Sequence, residues 1–281
     1  MTFLLSFLPS CSGGTQASPT QATMKAPPPR IVSTRSSAPA FDCDQPSQVQ
    51  TFEMESELLN DQLRFSVYFP PCHDKSGVNT YPTIYLLHGQ TYDNRQWQRL
   101  GIAAYADELI QSGRVLPFLI VMPYEKYHYR SPTNNQFPLV IVQELLPWVE
   151  SELHGRAGRD WRAIGGISRG ASWAVRMGLQ DTETFGAVGA HSLPTFNADV
   201  DDLPNWLEAI SDGESPRIYI DTGRSDPEVD TAAEFVQILN LYGIPNEWHL
   251  NNGRHDETYW SAHVQEYLDW YTLPWRIKPS A

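Results

Sequence analysis

Residues 62–69 alternate apolar and polar side chains, with Leu63, Phe65, Val67 and Phe69 as the apolar set, which is the pattern of a half-buried strand. Residues 83–87 and 118–122 are short continuous apolar runs, as in strands covered on both faces. Residues 101–112 place Ile102, Tyr105, Leu109 and Ile110 on one helical stripe, and residues 139–153 read as a longer amphipathic helix. Further along, the pattern predicts a strand at 162–167, a helix at 170–179, strands at 185–190 and 218–220, a helix at 229–242, a strand at 247–250 and a last helix at 258–273. Strands separated by helices of 10–15 residues imply βαβ units, a mostly parallel sheet with helices on both faces and an α/β class. No internal repeat is visible.

The first 40 residues do not share this pattern. Residues 2–9 form an apolar run too short to span a bilayer, which needs ~20 residues. The run ends in the small residues Ser10-Cys11-Ser12-Gly13-Gly14 and resembles the tail of a secretory signal, with Leu8-Pro9-Ser10-Cys11 similar to a bacterial lipobox. No Lys or Arg precedes the run, as if the start were truncated. Residues 12–40 are mostly Ser, Thr, Gln, Ala and Pro and read as a solvated tether. The expected organisation is a leader and linker over 1–40, a catalytic body over 41–276 and a tail over 277–281. The expected location is exported, either free or lipid-anchored at Cys11.

Composition narrows the partners. The net charge is −13, and no acid occurs before Ala40, so the body is strongly acidic. Such a surface repels phosphate backbones and argues against nucleic-acid binding. With Cys11 assigned to the leader, Cys43 and Cys72 remain, and in an exported domain they are expected to form a disulfide.

The candidate chemistry sits at strand ends. Gly166-Ile167-Ser168-Arg169-Gly170 is G-x-S-x-G between a predicted strand and a predicted helix, where a tight turn lifts a nucleophilic serine above the sheet. The helix N-terminus then faces the developing oxyanion. Serine needs a base and a group to orient that base, and in this setting they follow in the order Ser, acid, His. Asp226 lies in the loop after strand 218–220, and His255 follows Gly253 after strand 247–250. Asp221 and Glu228 are alternative acids. The backbone N–H groups of Arg169 and of Gln90, in His88-Gly89-Gln90, are the expected oxyanion donors. His88 and His191 read as structural.

These segments carry a resemblance. Leu86-Leu87-His88-Gly89 with Trp97, Gly165 to Gly170, Gly223-Arg224-Ser225-Asp226, and Gly253-Arg254-His255-Asp256-Glu257-Thr258-Tyr259-Trp260 recur in this order in the "putative esterase" family of α/β-hydrolases. That family includes esterase D, feruloyl esterase modules, enterochelin esterases and mycolyltransferase antigens, and the chain looks most similar to the bacterial feruloyl esterase modules. The resemblance covers roughly residues 45–275. It implies an α/β-hydrolase fold without a large lid, a triad of Ser168, Asp226 and His255, and no metal or organic cofactor. Arg169 departs from relatives that carry Met or another apolar residue there.

Tyr124, Tyr127 and Tyr129, in the loop after strand 118–122, and Trp260 are candidate substrate contacts, suited to a flat hydroxycinnamoyl acyl group. The segment 192–215 would form a small cap. The expected activity is serine ester hydrolysis through an acyl-enzyme. The alternatives are acyl transfer to a sugar hydroxyl, as in mycolyltransferases, and a non-catalytic binding protein on the same fold.

Overall fold

In a strand, successive side chains face opposite sides of the sheet, so one covered by helices on both faces must be apolar at every position. In the computed structural model, which describes residues 44–210 and 213–277, the strands are β1 (Gln48–Ser56), β2 (Asp61–Phe69), β3 (Thr83–Leu87), β4 (Leu119–Pro123), β5 (Arg162–Ile167), β6 (Ala187–His191), β7 (Arg217–Gly223) and β8 (Glu247–Asn251). They form one sheet in the order β1-β2-β4-β3-β5-β6-β7-β8. The pairs β1–β2 and β2–β4 are antiparallel, and the rest are parallel. β3 and β4 show the two-sided burial directly. Tyr85, Leu87, Leu119 and Val121 enter the core on one face, and Ile84, Leu86, Ile120 and Met122 enter the core on the other.

The helices are α1 (Gln96–Arg99), α2 (Ile102–Gln111), α3 (Phe137–Val140), α4 (Leu146–Glu152), α5 (Arg169–Gln180), α6 (Asn197–Val200), α7 (Leu203–Glu208), α8 (Val229–Leu241) and α9 (Glu257–Tyr271). α1, α2 and α9 cover one face, while α3, α4, α5 and α8 cover the other. The short α6 and α7 are the small cap between β6 and β7, and no large lid is present among the described residues. No described helix is long and apolar enough to cross a membrane.

Two elements differ from the sequence pattern. β1 is not predicted, because it is an edge strand with mostly exposed positions; only Phe52 and Met54 lean on the core. The helix expected at 139–153 is interrupted by a π-helical stretch at Ile141–Leu145. Pro147, at the start of α4, has no N–H to return to the preceding turn. The Leu146 N–H reaches back five residues to the Ile141 carbonyl, so the wider turn keeps the rod continuous.

α9 is keyed into the sheet. A Cβ at Gly165 or Gly189, neighbours across β5 and β6, would overlap the Tyr271 hydroxyl. Tyr271 Oη lies 3.0 Å from His191 Nε2. The sheet thus lacks side chains at the point where the last turn of α9 fills the space. Cys11 of the leader and Cys43 at the start of the body lie outside the described residues. Cys72, just past β2, donates its backbone N–H to the Gln45 carbonyl at 3.2 Å.

Candidate active site

β5 ends at Ile167 and α5 begins at Arg169, which leaves Ser168 alone to make the turn. It does so at φ 54° and ψ −123°, a conformation that costs a non-glycine residue about 1–3 kcal/mol. The two motif glycines explain why the turn can close. A Cβ on Gly166 would overlap the Gly170 backbone, and one on Gly170 would lie 2.6 Å from the Leu87 carbonyl oxygen. The Ser168 N–H donates to the His191 carbonyl at 2.8 Å, which ties the turn to the end of β6.

The loops after β7 and β8 are laced together. Arg224 N–H donates to Asn251 O at 2.8 Å and Ser225 N–H to Gly253 O at 2.9 Å. Gly253 sits at φ 154°, and a Cβ there would collide with the Tyr259 ring. Asp256 caps α9 by accepting from the Tyr259 N–H at 2.9 Å, which fixes the residue after His255.

This framework brings three distant side chains into line. His255 Nε2 lies 2.9 Å from Ser168 Oγ, and His255 Nδ1 lies 3.0 Å from both carboxylate oxygens of Asp226. A carboxylate only accepts, so Nδ1 carries the proton and Nε2 presents its lone pair to the serine hydroxyl. Asp226 is buried, and burial alone would push its carboxyl up. Hydrogen bonds from His255, the Glu228 N–H and Ser192 outweigh that and hold it below the ordinary carboxylate range, ionised at neutral pH.

The alternative acids are otherwise engaged. Asp221, wholly buried, lies 2.6 Å from His191 Nδ1 and accepts from the hydroxyls of Tyr259 at 2.6 Å and Tyr267 at 2.7 Å. Glu228 meets Asp226 through its backbone N–H, at 2.8 Å.

A family model described as "Putative esterase" matches residues 56–271, more than half of the chain. The chain belongs to this esterase family. It is 28% identical over 233 residues to an endo-1,4-beta-xylanase/feruloyl esterase of Xylanibacter ruminicola, covering 79% of this chain and 30% of that protein. It is 27% identical over 243 residues to an esterase of Mycobacterium tuberculosis, covering 68% of this chain and 52% of that one. The chain thus spans about half or less of the length of these curated relatives. A solved ferulic acid esterase superposes with a TM-score of 0.72 at 25% identity, covering 82% of this chain and 99% of the other. An S-formylglutathione hydrolase from Staphylococcus aureus gives 0.67 at 19% identity, with 82% and 99% covered. The architecture is the α/β-hydrolase fold of these esterases.

In this esterase-family chain the expected substrate contacts separate. Trp260 is turned inward. It is only 1% exposed, its Nε1–H donates to Ser192 Oγ at 2.9 Å, and its ring meets the His255 ring edge-on at 5.1 Å. It therefore packs behind His255 and Ser192. Tyr127 donates its hydroxyl to Asp61 and lies under the Arg130 guanidinium at 4.1 Å, so it packs the loop. Tyr124 meets the His88 ring at a tilt, 5.5 Å between centroids, and lies 4.6 Å beneath Arg64. Tyr129 stands open at 70% exposure.

Two buried charge pairs near Ser168 were not anticipated from the sequence. The motif assigns Arg169 only a backbone role, yet the side chain is buried and pairs with Glu125 through two bonds of 2.7 and 2.8 Å. Seven residues on, Arg176 makes a second buried pair, with Asp199 of the cap, and donates to the Pro132 carbonyl at 2.8 Å. Both guanidiniums flank Trp173 and Phe196 within about 5 Å. A cation in the first turn after a buried strand needs a buried counter-charge, and that signal was available in the sequence. Among the described residues no group of three or more His, Cys, Asp or Glu is placed to hold a metal ion.

Proposed function

We propose that this chain hydrolyses carboxylic esters through Ser168, His255 and Asp226. The observation that carries the reading is the unbroken relay of 2.9 Å and 3.0 Å from Ser168 Oγ through His255 to a buried carboxylate. His255 takes the proton as Ser168 Oγ attacks the ester carbonyl, and the tetrahedral oxyanion receives the N–H groups of Gln90 and Arg169. His255 then protonates the departing alcohol. Water, deprotonated by the same imidazole, attacks the acyl-enzyme and releases the acid. Asp226 keeps Nδ1 protonated and stabilises the imidazolium formed in each step.

For the acyl group we propose a hydroxycinnamoyl ester. The names of the xylanase/feruloyl esterase relative and the ferulic acid esterase structure support this, as does the exposed ring of Tyr129 in the loop bound to Arg169 through the Arg130 carbonyl at 3.4 Å. The test is a panel of methyl hydroxycinnamates against p-nitrophenyl acetate and butyrate, run with and without a sugar acceptor. Release of free hydroxycinnamic acid supports the reading, and acylated sugar as the main product would overturn it in favour of transfer.

The remaining organisation is proposed on sequence grounds: residues 41–276 as the catalytic body, 277–281 as a tail, and 1–40 as an export leader and tether with Cys11 as a lipid anchor. A Cys43–Cys72 disulfide fits this reading. The hydrogen bond from Cys72 N–H to Gln45 O supports it, because it brings the chain just after Cys43 alongside Cys72.

A further inference from the structure

The two proposed oxyanion donors lie on different elements, Gln90 after β3 and Arg169 at the start of α5. Their N–H groups must converge on one oxygen, so something has to fix their relative positions. His88 is the first link. Its Nε2 lies 2.9 Å from the Glu125 backbone N–H and can only accept there, so its Nδ1 carries the proton and donates to the Gly89 carbonyl at 2.7 Å. The Gly89 carbonyl and the Gln90 N–H belong to the same planar peptide unit. Holding the carbonyl therefore fixes the direction in which the Gln90 N–H points. The Gly89 N–H is held in turn by Gln96 Oε1 at 2.8 Å.

Glu125 is the second link. Its carboxylate, 3% exposed, takes two bonds from the Arg169 guanidinium and a third from Asn135 Nδ2 at 2.6 Å. One residue thus holds the Gln90 peptide through its own N–H and the first residue of α5 through its side chain. A buried ion pair adds little net stability, since desolvation offsets the attraction, but it fixes geometry.

We propose that Glu125 is a positioning residue that sets the two oxyanion donors relative to each other, acting through His88 on one side and Arg169 on the other. The proposal rests on the ester-hydrolase reading given above. Glu125 touches no reacting atom. Its effect is on the transition state, where the negative charge develops, and not on ground-state binding of the ester. Arg169 is accordingly built into the site as a tether for its own backbone, which an apolar side chain would not supply.

The test is steady-state hydrolysis of p-nitrophenyl acetate, together with inhibition by a phenylboronic acid that forms a tetrahedral adduct on serine. Glu125→Gln keeps the shape and removes the charge. It is expected to lower kcat and kcat/KM together by about 10- to 100-fold, with KM within threefold, and to weaken the boronate by a similar factor. Arg169→Met keeps the backbone N–H and is expected to show a loss of the same kind. The double variant should fall no further than the worse single, because both break one connection. If Glu125→Gln does not fold, Arg169→Met and Asn135→Ala carry the same comparison. Single variants within threefold of the parent, a loss confined to KM, or singles whose effects multiply would overturn the proposal. If the parent hydrolyses ester and Ser168→Ala does not, such a result removes the role of Glu125 alone. If the parent neither hydrolyses any ester nor binds the boronate, the hydrolase reading falls and takes this one with it.

Discussion

Asp221 holds His191 at 2.6 Å inside the sheet, one loop away from the place where Asp226 holds His255 at 3.0 Å. The two Asp–His pairs share a backbone frame. His191 O receives the Ser168 N–H, and Asp221 O receives the Ser192 N–H, both at 2.8 Å. Ser192 in turn bonds Asp226. The inner pair therefore shapes the turn on which the outer pair operates.

The two aspartates should separate cleanly on mutation. Asp226→Asn is expected to lower kcat by about 10³–10⁴-fold with little change in melting temperature. Asp221→Asn, which weakens bonds from His191 and two tyrosines, is expected to cost roughly 2–3 kcal/mol of stability, with a smaller loss of turnover. Urea unfolding and ester hydrolysis on the same preparations decide this, and a reversed pattern would show that the acid has been misassigned.

At Ser168 the hydroxyl and the backbone can be tested apart. Ser168→Ala is expected to abolish hydrolysis, by about 10⁴–10⁶-fold, with unchanged stability, because the positive φ remains. Ser168→Gly is expected to be equally inactive but more stable by about 1 kcal/mol, since glycine occupies that conformation at little cost. Thermal unfolding of the three proteins measures the strain stored at Ser168.

The hydrogen-bonded line of Ser168, His255 and Asp226 was legible in the sequence because its three members follow strand ends in a fixed order, and the sheet has little freedom in where it places those ends. The buried strands were legible for a related reason: a continuous apolar run such as 83–87 has few other homes. What pattern could not give is the direction of individual side chains. Trp260 looked like a ligand contact by residue type, yet it shares an inward stripe with Val264, Tyr267 and Tyr271 at helical spacing, which is the mark of a core position. β1 carries too few apolar residues to announce itself, because as an edge strand it buries little. The link from Glu125 to His88 runs through a backbone N–H, which leaves no trace in residue type.

Packing at the centre of the sheet gives a contrast between glycines. Gly165→Ala would place a methyl group where Tyr271 Oη sits and is expected to destabilise by about 3 kcal/mol or more. Gly243→Ala, at φ 69° with open space around it, is expected to cost about 1 kcal/mol from backbone strain alone. Denaturant midpoints with unchanged slopes would verify both, and equal costs at the two sites would contradict the keyed packing of α9.

Stability should fall on the acid side of neutrality. Burial holds the His88 imidazole below its usual 6.5. The unfolded chain therefore takes up a proton below about pH 6.5 that the native protein refuses until lower pH, and unfolding becomes easier as pH drops through that window. The slope from this one group is bounded by about 1.4 kcal/mol per pH unit, the value for a single proton. Replacing His88 with Gln should remove that share of the slope in unfolding measurements below pH 6.5. Asp226 acts lower down: its contribution is present above pH 3.8 and is lost as pH falls through its depressed native value.

The keyed position of Tyr271 has a further consequence, for biosynthesis. A ribosome releases β5 and β6 well before α9, yet Gly165 and Gly189 leave a gap at the centre of those strands that the last turn of α9 fills. Until that turn emerges, the nascent sheet has an open hole beneath the Ser168 turn, and the loop bearing His255 has only just left the exit tunnel. A chain stalled before α9 would carry Ser168 on an unsealed sheet with a sticky apolar face, a substrate for chaperones and proteases and not a catalyst. Completion of the fold and onset of chemistry are thereby tied to the same short stretch of translation.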